Sequence, residues 1–331
     1  MSEYLSAPIK VSYDVTHRCN LQCQHCRILN STIAPEELSI VKVKQFVDEL
    51  SAMKVFVLGI SGGEPFIRSD FIDIIKYATK SDVGRIFVST NFTLINDDIL
   101  NELSNLKDKL AFKVSIDSIG VYHDSIRGMP GAFDRTVEGI KLAVSHGFRV
   151  QVTTTLMQFN YKDIIEIIEF VKSLGVKKHR IIEIIPLGKA SFDLVLSDES
   201  RRSVWLMFEQ NKKRLVQDGL DVTLDMPFVG RSFSEFTCQA GRSECGILPD
   251  GSVVGCRLLP NITTGNIKDR AFREIWDDAK SFTFFRELTP DSIKGNCSDC
   301  EYGRSCRGGC RAYAIAVYND FYMPDPRCLL V

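Results

Sequence analysis

Three cysteines near the N-terminus stand in the spacing CxxxCxxC: Cys19, Cys23 and Cys26. A [4Fe-4S] cluster usually takes four cysteine thiolates. Three closely spaced thiolates therefore hold three irons and leave the fourth open to another ligand. A structural zinc site is the alternative, because zinc also binds closely spaced cysteines, with His17 or His25 supplying the fourth ligand.

The eleven cysteines of the chain are unevenly distributed. Three lie within the first 26 residues, none lies between Cys26 and Cys238, and eight lie in the last 94 residues. Thiols in the cytosol are kept reduced, and scattered structural cysteines do not leave such a gap. We therefore interpret these cysteines as metal ligands or catalytic thiols rather than as disulfides.

A second segment suited to binding a ligand is Gly62-Gly63-Glu64-Pro65, here called the GGEP segment, which begins 36 residues after the third cysteine. It directly follows a run that predicts a strand. Glycine lets a main chain approach a ligand closely. In isolation a Gly-Gly pair is also typical of a simple turn.

The charge balance excludes several classes of partner. Forty-one Lys and Arg residues against 42 Asp and Glu residues give the 331-residue chain a formal charge of -1. Such a balance creates no field that attracts nucleic acid or an anionic bilayer. The first residues are too few and too polar for a signal peptide, and no apolar run approaches the ~20 residues that span a bilayer. We expect a cytoplasmic protein without a membrane or nucleic-acid partner.

The elements that must position these residues alternate between β-branched runs and amphipathic stretches, which is typical of repeated βα units. Six strands are predicted, at residues 9–15, 54–60, 85–89, 111–116, 149–155 and 180–185. Six parallel units close most of a barrel, and chemistry in such barrels lies at the C-terminal ends of the strands. The cysteine triad, the GGEP segment, Asn91 and Asp117 each follow one of the first four strands. The sequence therefore predicts an α/β fold, a partial (β/α)6 TIM-like barrel with a small, irregular, Cys-rich C-terminal domain.

The pattern changes after Pro186. A helix is predicted at residues 198–217, and a Cys- and Gly-rich region begins near Phe236. We expect three parts: a barrel domain at residues 1–200, a linker region with a helix at residues 201–236, and a Cys-rich domain at residues 237–331.

The run VTHRCNLQCQHC, at residues 15–26, resembles the signature of the radical S-adenosylmethionine (radical SAM) enzymes. The resemblance implies a [4Fe-4S] cluster on the triad, whose open iron chelates the methionine part of S-adenosylmethionine. One-electron reduction then yields a 5'-deoxyadenosyl radical. The resemblance also implies that the GGEP segment holds the ammonium group of the cofactor and that His25 lies beside its adenine.

The resemblance implies cofactor contacts for five more residues: Ser89, Asn91, Ser115, Asp117 and Arg127. Ser115 and Asp117 would lie near the ribose and the methionine. Arg127 would meet the cofactor carboxylate, where bidentate geometry favours arginine over lysine. For Ser89, Asn91 and Arg127, a cap or a surface ion pair is an equally good interpretation.

The C-terminal cysteines spell CxxCx5CxxxC and a final Cys, with three more cysteines upstream. This arrangement resembles the SPASM extension of radical SAM enzymes, which carries two auxiliary [4Fe-4S] clusters. The resemblance implies two sets of ligands: auxiliary cluster I on Cys238, Cys245, Cys256 and Cys310, and auxiliary cluster II on Cys297, Cys300, Cys306 and Cys328. A zinc ribbon is the alternative for the CxxC pairs.

The resemblance implies an enzyme that abstracts a hydrogen atom from its substrate, with an electron supplied by a reductant such as flavodoxin or ferredoxin. We expect oxidative modification of a peptide or protein substrate, as in the maturases of ribosomally made peptides. The triad begins at Cys19, which leaves no space for a fused recognition domain, so we expect a separate peptide-recognition protein. Glu183 and Asp225 are the candidate catalytic groups, and neither can be assigned as a base from sequence.

Alternatives stay open for substrate and class. A haem or other tetrapyrrole, or the precursor of a peptide-derived redox cofactor, is the alternative substrate. Five arginines in or near the linker and extension could meet tetrapyrrole propionates: Arg201, Arg202, Arg231, Arg242 and Arg257. Sulfatase maturation is disfavoured, because Arg257 follows Cys256 where those enzymes place an aspartate. An iron-sulfur electron carrier is the alternative from another class, although a carrier has no use for an ammonium-binding segment.

Overall fold

A computed structural model describes residues 4–28, 36–228 and 237–328, in which strands and helices alternate along most of the chain. The strands are β1 (Lys10–Thr16), β2 (Val57–Gly62), β3 (Arg85–Thr90), β4 (Leu110–Ser115), β5 (Arg149–Leu156), β6 (Lys178–Glu183), β7 (Asp221–Asp225), β8 (Glu244–Ile247), β9 (Ser252–Val254) and β10 (Thr263–Asn266). The helices are α1 (Ile40–Ala52), α2 (Phe71–Lys80), α3 (Asp97–Glu102), α4 (Val121–Arg127), α5 (Ala132–Ser145), α6 (Ile164–Ser173), α7 (Asp198–Leu215), α8 (Phe272–Asp277), α9 (Thr283–Arg286), α10 (Gly303–Cys306) and α11 (Arg311–Tyr318). No helix in the described ranges has both the length and the apolar composition to cross a membrane.

The described strands form a single sheet in the order β10-β9-β8-β1-β2-β3-β4-β5-β6-β7. Strands β1 to β7 pair in parallel and in chain order. The sheet is not closed, because β7 stands at one end of this order while β1 pairs with β8 on its other side. The structure therefore confirms the predicted α/β fold with a partial barrel.

All six predicted strands are present, with ends shifted by at most three residues, and the predicted helix at residues 198–217 is α7. A seventh parallel strand, β7, was not predicted, because its sequence DVTLD carries two aspartates and has weak strand propensity. It forms because the edge of β6 offers main-chain partners. Helix α7 and β7 thus add a further βα unit in the region that the sequence suggested as a linker.

The main core lies between the sheet and the helices outside it. On β1, alternate side chains point to this side: Val11, Tyr13 and Val15, none more than 1% exposed. The ring of Tyr13 meets that of Phe46 on α1 edge-on, with centroids 6.1 Å apart. Burying each such side chain stabilises the fold by roughly 1.5–3 kcal/mol. The intervening residue Asp14 faces the inside of the barrel, so the two faces of β1 serve the core and the site separately.

The Cys-rich region continues the barrel sheet. Strand β8 pairs in parallel with β1, and β9 and β10 follow in antiparallel pairs. A hairpin turn joins β8 to β9, with Leu248 N donating to Ser252 O at 2.9 Å and Gly251 at φ +88°. The sheet thus crosses the expected boundaries between the three parts of the chain, and the division into domains stays a prediction.

Two glycines let the end of β2 approach the cysteine loop, residues 17–28, very closely. Gly63 N donates to Thr16 O at 2.8 Å, and Glu64 N donates to Arg18 O at 2.9 Å. A Cβ on Gly62 would overlap the carbonyl oxygen of Thr16, and one on Gly63 would overlap that of Arg18. The glycines are therefore required first by the contact between two segments of this chain.

We expect Gly63→Ala to lower the free energy of unfolding by about 1–3 kcal/mol, because the added methyl group must push the cysteine loop away from β2. Gly59→Ala, on the adjoining strand β2, is the matched control, since the nearest atom to its added Cβ would be Ser12 Oγ at 3.5 Å. Thermal unfolding of both variants, prepared with equal iron loading, measures the difference. Equal midpoints for the two variants would contradict the prediction.

Candidate active site

A cavity of about 310 Å3 opens at the C-terminal ends of the barrel strands. The three cysteines of the triad line it together. Hydroxyl groups at the ends of four strands also line it: Ser61, Ser89, Thr90, Ser115 and Thr155. Apolar side chains on β6, just beyond it and in the Cys-rich region complete the wall: Ile182, Ile184, Ile185 and Leu258. The cavity therefore combines soft thiol ligands, a polar rim and an apolar wall.

The cysteine loop is held in place by the C-terminal end of α4. Gln22 N donates to Arg127 O at 3.0 Å, and Gln24 N donates to Ile126 O at 2.9 Å. Gly128 ends the helix with φ +68°, and a Cβ there would lie 2.7 Å from Gln22 O. A left-handed glycine is a common helix end, and here it also leaves room for the loop. These contacts fix the loop so that its thiols face one cavity.

Burial disfavours the thiolate form of two of the three cysteines of the triad, Cys19 and Cys23. Burial raises the pKa of Cys19 to about 11. Burial also raises the pKa of Cys23, although the positive charge of Arg127 acts to lower it. Arg127 Nη1 donates to Cys23 Sγ at 3.7 Å and so favours the thiolate. Because iron binds thiolates, cluster assembly must displace these protons.

A fully buried carboxylate holds Arg127 in place. Asp117 Oδ2 lies 2.7 Å from Arg127 Nη2 and 3.4 Å from His25 Nε2, and Asp117 Oδ1 accepts from Thr155 N at 2.8 Å. Burial alone would raise the pKa of Asp117, but the positive charge of Arg127, with smaller contributions that include the main-chain hydrogen bond from Thr155, outweighs burial and lowers that pKa. Burial lowers the pKa of His25 to about 4, so its ring is neutral at neutral pH. Asp117 thus positions two groups that line the cavity.

Glu64 lies behind the cavity wall, where it ties β2 to β3. Its Oε1 accepts from Thr90 Oγ1 at 2.8 Å and from Phe66 N at 3.1 Å, and its Oε2 accepts from Asn91 N at 2.8 Å. Burial raises the pKa of Glu64 to about 7. Asn91 Nδ2 in turn donates to Asn20 Oδ1 at 2.9 Å, which joins the end of β3 to the cysteine loop.

Most of the residues that the sequence suggested for cofactor binding line the cavity: His25, Gly62, Gly63, Ser89, Asn91, Ser115 and Arg127. The others are buried behind it: Glu64, Pro65 and Asp117. The interpretation of Arg127 as a surface ion pair does not fit, since this side chain is only 7% exposed. Which of these groups touches the cofactor stays a prediction.

The two candidate catalytic carboxylates are both paired. Glu183 lines the cavity, but its carboxylate lies 2.9 Å from Arg201 Nε and 3.3 Å from Arg327 Nη1. Burial raises the pKa of Glu183, while the two guanidinium groups act to lower it. Asp225 pairs with Arg180 and lies outside the lining of the cavity. Neither carboxylate stands unpaired as a ready general base.

Sequence reasoning missed Asp14, a buried carboxylate on the inner face of β1. It lies 2.6 Å from Arg27 Nη2 and 2.6 Å from Arg257 Nη1. Burial alone would raise the pKa of Asp14, but the two arginines hold it well below its usual range. The signal in the sequence is an aspartate within an otherwise strand-forming run, KVSYDVT. This one side chain joins the barrel, the cysteine loop and the segment after Cys256.

The arginines suggested for tetrapyrrole propionates are largely engaged within the protein. Three of them have buried acceptors within the protein. Arg201 pairs with Glu183, Arg242 donates to main-chain oxygens around α9, and Arg257 pairs with Asp14. Arg202 is exposed on α7, and Arg231 lies outside the described residues. The four of these arginines that the structure describes are therefore not among the residues that line the cavity.

Four cysteines near the C-terminus lie close together: Cys297, Cys300, Cys306 and Cys328. Burial raises the pKa of Cys297, and the charges of Cys328 and Cys300 raise it further. Burial, with Cys328 and Cys297, likewise raises the pKa of Cys306 to about 11. This grouping agrees with the set that the resemblance assigns to auxiliary cluster II.

Three further cysteines form a second group. Burial raises the pKa of Cys256 to about 12, and the charges of Cys238 and Cys310 contribute to the rise. All three thiols pack against one apolar cluster that includes Phe285. Cys245 does not join them, because it is buried in the main core instead. The structure thus brings together three of the four cysteines that the resemblance assigns to auxiliary cluster I.

Arg311 lies between the two groups of thiols. Burial lowers its pKa, whereas thiolates from both groups, including Cys238 and Cys297, act to raise it. Its guanidinium donates to Phe321 O and to Met323 O, each at 2.7 Å. In the described ranges, no three His, Cys, Asp or Glu side chains have the spacing needed to hold one metal ion. A multi-iron cluster places its own irons and sulfides between the thiolates and so spaces them more widely.

Family models match both parts of this site. Residues 13–171 match the Radical SAM superfamily, and residues 238–301 match SPASM, an iron-sulfur cluster-binding domain. The first match includes the cysteine triad, the GGEP segment, Asp117 and Arg127. The second begins at Cys238 and includes the C-terminal CxxC pair, Cys297 and Cys300.

Known proteins resemble the chain over nearly its whole length. It is 31% identical to the AdoMet-dependent heme synthase of Methanosarcina barkeri over 98% of this chain and 97% of that protein. It is 30% identical to mycofactocin maturase MftC of Mycobacterium tuberculosis over 98% of this chain and 84% of that protein. The crystal structure of Streptococcus suis SuiB bound to S-adenosylmethionine shares the fold, with a TM-score of 0.83 and 16% identity over 99% of this chain and 79% of SuiB.

These matches establish both the class of reaction and the cofactors. The protein is an enzyme of radical redox chemistry that uses a [4Fe-4S] cluster with S-adenosylmethionine, and its C-terminal region holds auxiliary iron-sulfur clusters. The chain belongs to the radical SAM superfamily, among the members that carry a SPASM domain.

Proposed function

We propose that this enzyme oxidatively modifies a peptide substrate by abstracting a hydrogen atom in the cavity at the C-terminal edge of its barrel. The observation that carries the proposal is the meeting of three thiols, an arginine beside them and a rim of hydroxyl groups around one cavity of about 310 Å3. A cavity of this size suits a cofactor or the reacting part of a larger molecule.

We assign Cys19, Cys23 and Cys26 as the ligands of the [4Fe-4S] cluster. The donor set fits a cluster with one open iron, because the described lining of the cavity contains these three thiols and no fourth cysteine. The Arg127 guanidinium, 3.7 Å from Cys23 Sγ, compensates part of the negative charge of the thiolates. When bound, the reduced cluster and S-adenosylmethionine supply the 5'-deoxyadenosyl radical that abstracts the hydrogen atom.

The residues of the chain bind and orient the cofactor. The main chain at Gly62 and Gly63 lines the cavity and is the proposed site for the cofactor ammonium group. The hydroxyl groups of Ser89 and Ser115 supply hydrogen bonds from the neighbouring strands. The neutral ring of His25 is suited to lie against the adenine, since no charge has to be desolvated.

Asp117 is a positioning residue in this scheme. Its carboxylate is 0% exposed and faces Arg127 and His25, not the cavity. It holds the Arg127 side chain beside the cysteine loop and contacts the ring of His25 within that loop.

The apolar wall of the cavity protects a radical from side reactions. Ile182, Ile184, Ile185 and Leu258 present hydrocarbon surface to the space beside the thiols. Excluding water from such a site also strengthens the electrostatic interactions inside it. A substrate carbon held against this wall is confined close to the place where the radical forms.

We propose that the C-terminal thiols hold two auxiliary clusters, one on the group that contains Cys297 and one on the group that contains Cys310. Their chemistry would be to accept the electron that hydrogen abstraction leaves on the substrate. A chain of ionic contacts runs from the cavity toward the second group: Glu183 lies 3.3 Å from Arg327, Arg327 lies 2.8 Å from Asp325, and Asp325 Oδ2 accepts from Cys310 N at 2.8 Å. We also propose that flavodoxin or ferredoxin supplies the first electron and that a separate protein presents the peptide.

The choice of a peptide rests on the maturase among the similar proteins and on the internal engagement of Arg201, Arg242 and Arg257. A tetrapyrrole would need cations free to meet its propionates. It remains the second candidate, because the similarity to a heme synthase extends over 98% of this chain. An electron carrier is not supported, since the chain is a member of a family of enzymes.

Cys19→Ala should abolish the formation of 5'-deoxyadenosine from S-adenosylmethionine and dithionite, because the first cluster loses a ligand that no neighbouring thiol replaces. About eight irons per chain should stay bound in the C-terminal region, as expected for two auxiliary clusters. Anaerobic reconstitution, iron and sulfide analysis and chromatography of the nucleoside products measure both outcomes. Iron near zero in this variant would show that the C-terminal thiols hold no clusters by themselves.

Asp117→Asn should lower the rate of S-adenosylmethionine cleavage by about 10- to 100-fold, which is typical for loss of a group that orients a ligand. The reason is that the neutral amide no longer holds the Arg127 guanidinium. Asp73→Asn, on the exposed face of α2, is the matched control and should leave the rate unchanged. Iron content should be equal in both variants, and equal cleavage rates would contradict a positioning role.

The substrate class can be read from transfer of a label. A peptide encoded beside the gene, deuterated at one residue type at a time, should transfer deuterium to 5'-deoxyadenosine and gain an altered mass. An iron porphyrin with deuterated propionate side chains is the parallel test. Transfer from the porphyrin alone would replace the peptide proposal with the tetrapyrrole candidate.

A further inference from the structure

We propose that auxiliary cluster I is held by only three cysteines, Cys238, Cys256 and Cys310, and that Cys245 is a core residue that binds no iron. One iron of this cluster is then open to a soft external ligand such as a thiolate. This inference rests on the proposed auxiliary clusters, and it does not depend on the choice between a peptide and a tetrapyrrole substrate.

The register of β8 against β1 decides where Cys245 points. Cys245 pairs with Val11, and Ile247 pairs with Tyr13. Side chains paired in register lie on the same face of a sheet, so Cys245 shares the face of Val11, which packs on the helices outside the barrel. The next residue on β8, Gly246, faces the other side, where a Cβ would overlap the side chain of Arg257. The side of β8 toward the barrel interior therefore carries Gly246 and not the thiol.

The packing around Cys245 is that of a hydrophobic core. The thiol is 3% exposed and belongs to the same cluster of buried side chains as Trp276 and Phe282. The other three cysteines pack against a different apolar cluster, which contains Leu259 and Phe285. A free cysteine in the first kind of surrounding behaves as a small apolar residue.

The charges near Cys245 also differ from those near the other three thiols. The charge of Cys310 raises the pKa of Cys238, and the charges of Cys238 and Cys310 raise the pKa of Cys256. The charged groups around Cys245 are Arg286 and Glu244, and although Glu244 also lies near Cys238, no cysteine of the described chain acts on Cys245. Arg286 itself donates to the main chain and lies over aromatic rings of the outer core. Cys245 is therefore separate from the group in position as well as in packing.

The described residues near the three thiols offer no evident replacement for the fourth ligand. The nearby cations are guanidinium groups, which have no lone pair to donate to iron: Arg27, Arg257, Arg311 and Arg327. Asp325 is held by Arg327 and by Cys310 N. Glu244 forms an ion pair with Lys10 at 2.7 Å. An iron without a protein ligand takes one from solution or from a bound molecule, and a soft donor suits iron-sulfur chemistry.

Iron content tests whether cluster I depends on Cys245, and the response of the parent cluster to added ligands, described below, tests whether one of its irons is already open. Cys245→Ala and Cys256→Ala are each combined with Cys19→Ala, Cys23→Ala and Cys26→Ala, so that only the auxiliary clusters contribute. Cys245→Ala should retain about eight irons per chain, whereas Cys256→Ala should lose about four of them. Loss of about four irons from the Cys245 variant would overturn the proposal.

A packing defect must be separated from loss of a ligand. Cys245→Val keeps the apolar volume of the core without a sulfur, so it should retain the same irons even if the smaller alanine destabilises the fold. If neither variant holds the irons of cluster I while the parent does, Cys245 is a ligand and the inference fails. If the parent itself holds no iron, the proposed auxiliary clusters fail and this inference fails with them.

The open iron has a spectroscopic signature. The sample is the parent that lacks the first cluster, in its reduced state. The electron paramagnetic resonance signal of auxiliary cluster I is the one that is absent from Cys256→Ala. Adding cyanide or free cysteine should shift this signal. The component that remains in Cys256→Ala should not respond, because four thiolates complete that cluster. Identical spectra with and without both probes would overturn the open site. Neither measurement uses S-adenosylmethionine or a substrate, so failure of peptide modification and failure of this inference are distinguishable.

Discussion

The main-chain contacts around the cysteine loop are the constraint on which the site depends. Three segments of the chain meet this loop at glycines: Gly63 after β2, Gly128 after α4 and Gly188 after β6. Beyond β6, Lys189 N donates to Cys26 O at 2.8 Å, which fixes the last cysteine of the triad. A side chain at any of the three glycines would overlap the loop or press against it, so the direction of the thiols depends on residues far apart in the chain.

Buried carboxylates add a second layer of constraint. Asp14, Asp117 and Glu183 lie on or just after different barrel strands, and each faces at least one arginine from another segment. Removing one partner of such a pair leaves an uncompensated buried charge and costs roughly 3–5 kcal/mol. The pairs therefore favour one arrangement of the loops over others of similar packing. In particular, the ion pair of Asp14 with Arg257 joins the barrel to the Cys-rich region.

The Cys-rich region is built onto the barrel and shares its sheet. Because β8 pairs with β1, the segment after β9 is carried to the mouth of the barrel, where Leu258 lines the cavity. The same pairing separates Cys245 from the other C-terminal thiols by turning it toward the outer core. One strand pairing thus connects the cavity with the auxiliary thiols and removes one cysteine from them.

Local sequence patterns were sufficient to predict the six principal strands and to identify the triad, the GGEP segment and the resemblance to the radical SAM and SPASM sequences. These features depend on alternation, spacing and residue type over short stretches, which a single sequence displays directly. Strand β7, the role of Asp14, the inward turn of Glu64 toward Thr90 and Asn91, and the separation of Cys245 were decided by the tertiary structure. Each of them depends on which distant segment supplies the partner. The side of the sheet on which Cys245 lies follows from its register with Val11, and no spacing of cysteines contains that register.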